Sequence, residues 1–231
     1  IFGSPCTDLS LAKKHRRSLL GESSKLFYRS ADIVKQVQPT YFLMENVASM
    51  SAESRDKISG ILGVQPIEIN SCHFTGQHRK RLYWCNWSIN YDKLHSRRLV
   101  RFMDCLLPCH SPEMQDLKLS EKAICYMNRA VSGGRSHWDF GHHSDTQNDY
   151  SSCIVSNFKK GVPYNVIIDR RDRGLPLRRH FHPVECERLQ GFPSGYTLGI
   201  ARTHRFECIG NSFTVPVIQA LLRQAPDLFK L

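Results

Sequence analysis

The 231-residue chain is 41% hydrophobic, enough for one well-buried domain or one domain with a small appendage. Thirty-two basic side chains against 21 acidic ones leave a formal charge of +11. That excess favours a polyanionic partner, since each phosphate contact releases condensed counterions, although a merely basic globular protein would carry it too. No apolar run approaches the roughly 20 residues of a membrane span, and nine scattered cysteines with no secretory leader suit a reduced intracellular compartment, nucleus or cytoplasm.

Ile1-Phe2-Gly3 reads as the last step of a strand entering a loop, so earlier strands are expected upstream or on another chain. The loop from Gly3 to Ser10 leads into the basic run Lys13-Lys14-His15-Arg16-Arg17. From about Leu19 to Val37 the apolar positions Leu19, Leu20, Leu26, Phe27, Ile33, Val34 and Val37 predict an amphipathic helix. Gln38-Pro39 should end it, because proline disfavours helical geometry in the residue before it. Tyr41-Phe42-Leu43-Met44 is a short continuous apolar run, read as a strand buried on both faces, with Glu45-Asn46-Val47 at its end. A helix over Ala52 to Leu62 and strands around Val64 to Asn70 and Leu82 to Trp87 follow.

This alternation is that of an open α/β sheet, in which ligands sit beyond the carboxyl ends of the strands. Residues 88–178 change character, with short strands and many Ser, Asp, Arg and His, and read as a smaller irregular domain. Helical pattern returns at His182 to Gln190 and from Val215 to Phe229. The expected division is therefore 1–87, 88–178 and 179–231, the last rejoining the first.

Candidate chemistry begins at Gly3-Ser4-Pro5-Cys6, where glycine allows a tight turn and proline stiffens the backbone ahead of a thiol. A Pro-Cys pair alone is usually structural, and its weight comes from the other motifs. Glu45, directly after four apolar residues, is expected to be partly desolvated, which raises a carboxyl pKa and lets it hold a proton near neutrality; a strand-end acid in water is the other reading. Arg79 and Arg81 in Gln77-His78-Arg79-Lys80-Arg81 fall on one face of a strand entry, where guanidinium forks can meet a carbonyl or phosphate; a solvated basic turn would look the same. Cys105, Cys109 and His110 invite a zinc reading, but no second ligand pair lies nearby, so no metal is assigned.

As an ordered set, Gly-Ser-Pro-Cys, Glu-Asn-Val and Gln-x-Arg-x-Arg resemble the cytosine-5 DNA methyltransferase family. Arg188-Leu189-Gln190-Gly191-Phe192-Pro193 is similar to its ninth motif, and Gly210-Asn211-Ser212-Phe213-Thr214-Val215-Pro216 to its tenth. Within the family, Ser4 to Ser10 and Phe42 to Val47 look nearer to the de novo animal enzymes and some phage enzymes than to typical restriction-modification ones.

The resemblance implies a Rossmann-like methyltransferase sheet lacking its first strands, with 88–178 as the target recognition domain. It implies Cys6 as the nucleophile on carbon-6 of a flipped-out cytosine, Glu45 at ring nitrogen 3 and the exocyclic amine, and Arg81, supported by Arg79, at the ring carbonyl. It implies double-stranded DNA as substrate and S-adenosylmethionine as cofactor, with Pro5, Asn211 and Ser212 in the part of the cofactor pocket present. The family's Phe-x-Gly-x-Gly turn and following acidic residue are missing from these residues. A split-enzyme half, a fragment, and an inactive regulator that binds DNA or a partner methyltransferase are therefore all open. So is an RNA cytosine-5 methyltransferase, though its Cys-Phe-Thr signature is absent. Arg97, Arg98, Arg101, Arg170, Arg171 and Arg173 are candidate phosphate contacts, and Gly134 to Phe140 either a base-reading loop or a packed turn.

Overall fold

The computed structural model describes residues 1–6, 9, 19, 25–94, 100–129, 143–156, 164–172 and 174–226. Two compact units emerge: Ile1–Asn70 with Lys80–Leu94 and Gln219–Leu231, and Ser71–Arg79 with His95–Ile218. The expected boundaries differ, because residues up to 218 pack with the middle of the chain. The second unit's core joins Phe102, Cys105 and Leu106 to Ile154, Ile167, Phe181, Cys186, Leu189, Phe206 and Ile209.

The first unit holds a mixed sheet in the order β1-β2-β4-β3, formed by β1 (Phe2–Gly3), β2 (Leu43–Val47), β3 (Ile67–Asn70) and β4 (Lys80–Cys85). β1 runs parallel to β2, with Gly3 beside Glu45, while β4 is antiparallel to both β2 and β3. α1 (Leu26–Val37) lies in the connection between the parallel neighbours β1 and β2, which requires a crossover. α1 ends where Gln38 turns left-handed at φ 46°, just before Pro39. Its buried face is narrower than the apolar pattern predicts. Phe27 and Ala31 are buried one turn apart, whereas Leu26, Ile33 and Val37 are 53%, 49% and 67% exposed.

α2 (Ala52–Leu62) has the predicted bounds, set by two local signals: the Ser51 hydroxyl accepts from the Ser54 N–H, and Gly63 closes the helix at φ 73°. The core between these elements gathers Phe27, Ala31, Met44, Val47, Met50, Ile58, Leu82 and Trp84. Trp87 rejoins the chain's later part to this unit by donating to the Leu221 carbonyl. No helix among the described residues is long and apolar enough to cross a membrane.

The second unit carries a three-stranded sheet, β5 (His143–Asp145), β6 (Val166–Asp169) and β7 (Leu177–His180), with β5 parallel and β7 antiparallel to the central β6. Around it lie α3 (Phe102–Cys105), α4 (Glu121–Asn128), α5 (Pro183–Gln190), α6 (Arg202–Asn211) and the start of α7 (Val215–Leu222). α6 was not expected from the apolar pattern. α5 begins at Pro183, with His182 as its cap and Glu185 accepting from the His182 N–H, and ends on Gly191 at φ 82°. A Cβ at Gly191 would lie 2.4 Å from the Pro216 ring, so both conformation and space demand glycine there.

Arg179 is fully buried and holds two carboxylates, donating to Asp169 at 3.0 Å and Glu185 at 2.8 Å. Burial alone would push the Asp169 carboxyl up, but the Arg171 hydrogen bond and the Arg179 charge hold it below the usual range. Arg179→Met leaves two buried acids without their shared cation and is expected to destabilise the unit by about 3–5 kcal/mol in urea unfolding. Because Asp169 has a lowered folded-state pKa, its contribution is complete at neutral pH and is lost as pH falls below about 4. The stability gap between parent and variant should therefore shrink on acidification.

Candidate active site

β2 and β4 position Glu45 and Arg81. Their register sets Glu45 opposite Tyr83 and Val47 opposite Arg81. Glu45 and Arg81 are thus diagonal neighbours on one face of the sheet, within reach of long side chains. The Arg81 Nε lies 3.0 Å from the Glu45 carboxylate, and both side chains are largely buried, at 15% and 13% exposure. A second nitrogen of the same guanidinium, Nη1, donates to the Lys80 carbonyl. Glu45 lies within β2 and not past its end as predicted, since the ladder with β4 continues through Val47.

Cys6 stands three residues beyond Gly3, the residue in register with Glu45. It is a free, partly buried thiol at the margin of the core that contains Met44 and Val47, and its carbonyl accepts from the Leu9 N–H at 2.9 Å. Pro5 beside it is exposed. Cys6, Pro5, Glu45 and Arg81 all belong to the first unit.

The other three expected site residues belong to the second unit. Arg79 does not share the Arg81 environment. It is 4% exposed, and its guanidinium donates to the carbonyls of Ile154, Gly210 and Ser212 at 3.0, 3.0 and 2.9 Å. The sequence spacing is that of one strand face, but β4 begins only at Lys80, so Arg79 precedes the ladder. Asn211, at the end of α6, has an exposed side chain with no hydrogen-bond partner among the described residues, which leaves its amide able to donate to and accept from a polar ligand. Ser212 is more committed. Its N–H and hydroxyl both meet the Ile209 carbonyl, and its own carbonyl takes Arg79.

Sequence reasoning missed two further groups. Gln77, fully buried, donates to the Leu189 carbonyl and the Gln190 side chain and accepts from the Ile154 N–H. Gln190 in turn accepts from Thr214 and donates to the Ile209 carbonyl. The Gln-x-Arg, Leu-Gln-Gly and Gly-Asn-Ser blocks are thus tied together by side chain to backbone bonds. In the first unit, Asn46 bonds Ser4; a polar residue between Glu45 and Val47 in an otherwise apolar strand was the available signal.

Several arginines expected at phosphate are paired within the molecule: Arg101 with Asp104, Arg170 with Asp145 and Arg171 with Asp169. Each has an acid close in space, two of them far in sequence or across a turn. Arg97, Arg98, Arg173 and the Gly134 to Phe140 stretch lie outside the described residues. Cys105, the first of the zinc candidates, is fully buried, and burial pushes its thiol up to about 12. No cluster of three metal-ligating side chains occurs among the described residues.

The same architecture is found in solved methyltransferases: the Entamoeba histolytica methyltransferase EhMeth matches with a TM-score of 0.69 over 96% of this chain and 75% of its own, at 17% identity. Fold and ordered motifs together therefore define a methyltransferase-type α/β protein. The model of C-5 cytosine-specific DNA methylases matches residues 1–62 and 75–226, and the chain belongs to that family. S-adenosylmethionine is the methyl donor of this family.

Among curated relatives, the type II methyltransferase M1.ScrFI of Lactococcus lactis subsp. cremoris is 22% identical over 100% of this chain and 62% of its own length. M.HpaII of Haemophilus parainfluenzae is 26% identical over 94% and 68%. The chain thus spans under two thirds of the first of these relatives. Their type II character does not single out the animal de novo or phage-type branch.

The burial pattern makes a direct prediction for thiol chemistry. Cys125 and Cys208 are exposed, while Cys72, Cys85, Cys105 and Cys186 are buried, with the last three thiols also pushed up by burial. Native protein should label with iodoacetamide first at Cys125 and Cys208 and, until unfolded, hardly at all at those four. Rapid native labelling of Cys105 or Cys186 would show that the second core is not closed as described.

Proposed function

We propose that this chain supplies the nucleophile, the acid and the guanidinium with which an enzyme methylates carbon-5 of cytosine in double-stranded DNA. The observation that carries the reading is the 3.0 Å pair of Glu45, on the strand beside the Cys6 loop, and Arg81, on the next strand. An inactive regulator would have no need of the thiol of Cys6 on the loop after β1 in addition to the Glu45 and Arg81 pair. DNA is favoured over RNA by the family model, which is that of C-5 cytosine-specific DNA methylases, and by the lack of the Cys-Phe-Thr signature in these residues.

Carbon-5 of cytosine is a weak nucleophile, and addition of a thiolate at carbon-6 corrects this. The Cys6 sulfur forms a bond to carbon-6, and the electrons of the carbon-5–carbon-6 double bond move through the ring towards nitrogen 3. Glu45 in its acid form supplies a proton there, leaving an enamine, and takes that proton back when the ring is restored, while Arg81 binds the ring carbonyl and stabilises both the charge on that oxygen and the thiolate. S-adenosylmethionine supplies the methyl group that carbon-5 takes up. A base then removes the carbon-5 proton, the double bond re-forms, and Cys6 leaves as thiolate. The base must be extruded from the duplex for the three side chains to reach it.

The family resemblance assigns Pro5 of the first unit, and Asn211 and Ser212 of the second, to the cofactor, Asn211 through its side-chain amide. Arg79 acts as a positioning residue by fixing the backbone of Gly210 and Ser212. These 231 residues hold no Phe-x-Gly-x-Gly turn, so tight cofactor binding calls for a further segment or a second chain.

Duplex DNA with 5-fluorocytosine at the target cannot lose its carbon-5 substituent, so it should trap Cys6 covalently when the enzyme is complete in its cofactor-binding part. Cys6→Ser should abolish adduct and turnover while DNA affinity stays within a few fold. Near-normal turnover in Cys6→Ser would remove the nucleophile assignment. Affinity for DNA should also fall steeply with salt, and a flat response would exclude phosphate contacts as its main source.

A further inference from the structure

We infer that Asn46 and Ser4 form a clamp that aims the nucleophile from the neighbouring strand, an inference that rests on the reading of Cys6 given above. Asn46 is 1% exposed and Ser4 7%. The Asn46 amide nitrogen donates to the Ser4 carbonyl at 3.2 Å and to the Ser4 hydroxyl oxygen at 3.0 Å. Its amide oxygen accepts from the Val47 N–H at 2.8 Å. Both donor hydrogens and the acceptor are therefore used.

The strand itself does not need this residue. Asn46 pairs with Leu82 in the ladder through its backbone, which an apolar side chain would do equally well. A buried amide is costly unless fully bonded, so a polar group here has to be explained by what it holds. It holds two atoms of a residue two positions before Cys6.

From Ser4 the constraint passes along the chain. Fixing the Ser4 carbonyl fixes the plane of the Ser4–Pro5 peptide. The Pro5 ring sets the next dihedral at about −65°. On the far side, the Cys6 carbonyl is tied by the Leu9 N–H. Few torsions remain between the clamp and the sulfur. Successive strand residues face opposite ways, so Glu45 meets Arg81 while Asn46 turns to Ser4. Consecutive residues of one strand thus place the acid and the thiol in a single frame, as a reaction sensitive to sub-ångström alignment requires.

The test uses the enzyme complete in its cofactor-binding part and three variants. Ser4→Ala removes one acceptor, Asn46→Asp removes both donors but keeps the acceptor for Val47, and Ser4→Thr keeps the hydroxyl. Two rates are measured: site-resolved alkylation of Cys6 by iodoacetamide, and adduct formation on 5-fluorocytosine duplex. Loosening the clamp should speed alkylation of the partly buried Cys6 and slow adduct formation, each by about fivefold in Ser4→Ala and more in Asn46→Asp. Ser4→Thr should restore both. Labelling of buried Cys85 and exposed Cys125 should not change, and DNA affinity should hold within twofold.

Rates within twofold of the parent in both loss variants would overturn the clamp. So would acceleration at Cys85 alongside Cys6, which marks general opening of the unit. Should the parent form no adduct, the methylation reading fails, and the alkylation comparison still decides whether Asn46 and Ser4 hold the Cys6 loop.

Discussion

The antiparallel register between β2 and β4 is the constraint from which the first unit's chemistry follows. It sets Glu45 one diagonal step from Arg81 on a shared face, with both side chains shielded from water. A carboxylate so buried is costly alone, and a guanidinium so buried is costly alone; together they offset much of that cost. A slip of one residue between β2 and β4 would put the two side chains on opposite faces and leave two partly buried charges unpaired. The pair therefore both selects the register and depends on it. Because β1 lies parallel on the other side of β2, the same register fixes where the Cys6 loop departs.

The second unit uses similar side chains for a different end. Arg79, Arg179 and Arg205 are all buried, and each is held by carbonyls or carboxylates: Arg79 by three backbone carbonyls, Arg179 by Asp169 and Glu185, Arg205 by Glu187. Glu187 also receives the Gly195 and Thr197 N–H groups, which fixes the turn after α5. Gly210 continues this theme, since a Cβ there would come within 2.2 Å of the Ser156 backbone nitrogen. The two late motifs are thus largely devices for close packing. Within them only Asn211 presents an uncommitted side-chain amide.

What could be read from sequence divides along the range of the interaction. α2 was legible to the residue, because Ser51 and Gly63 are local stop and start signals that act within a turn. The order of motifs singled out Cys6, Glu45 and Arg81, and the last two lie side by side in the sheet. The partition of Arg79 from Arg81 was not legible, since it depends on where the ladder begins and on carbonyls more than 70 positions away. The breadth of the α1 buried face was over-read for a related reason: periodicity reports which residues could be buried, while neighbouring elements decide which are. α6 escaped notice because its sequence, Arg202 to Asn211, is polar on most sides and is anchored by Phe206 and Ile209.

The excess of +11 is 32 cations less 21 acids, so an arginine paired with an acid already cancels in it, and the structure shows which arginines these are. Arg170 lies 3.0 Å from Asp145, Arg171 2.6 Å from Asp169 and Arg101 3.0 Å from Asp104. Seen from a Debye length away, each such pair is close to neutral. These arginines are committed to acids within the second unit. Arg171 is so most clearly, because it also donates to the Leu107 carbonyl and helps hold Asp169 as carboxylate. Moving such a side chain to a phosphate would leave an acid uncompensated in the fold, so the attraction expressed by the net charge has to be carried by basic residues not already committed to carboxylates.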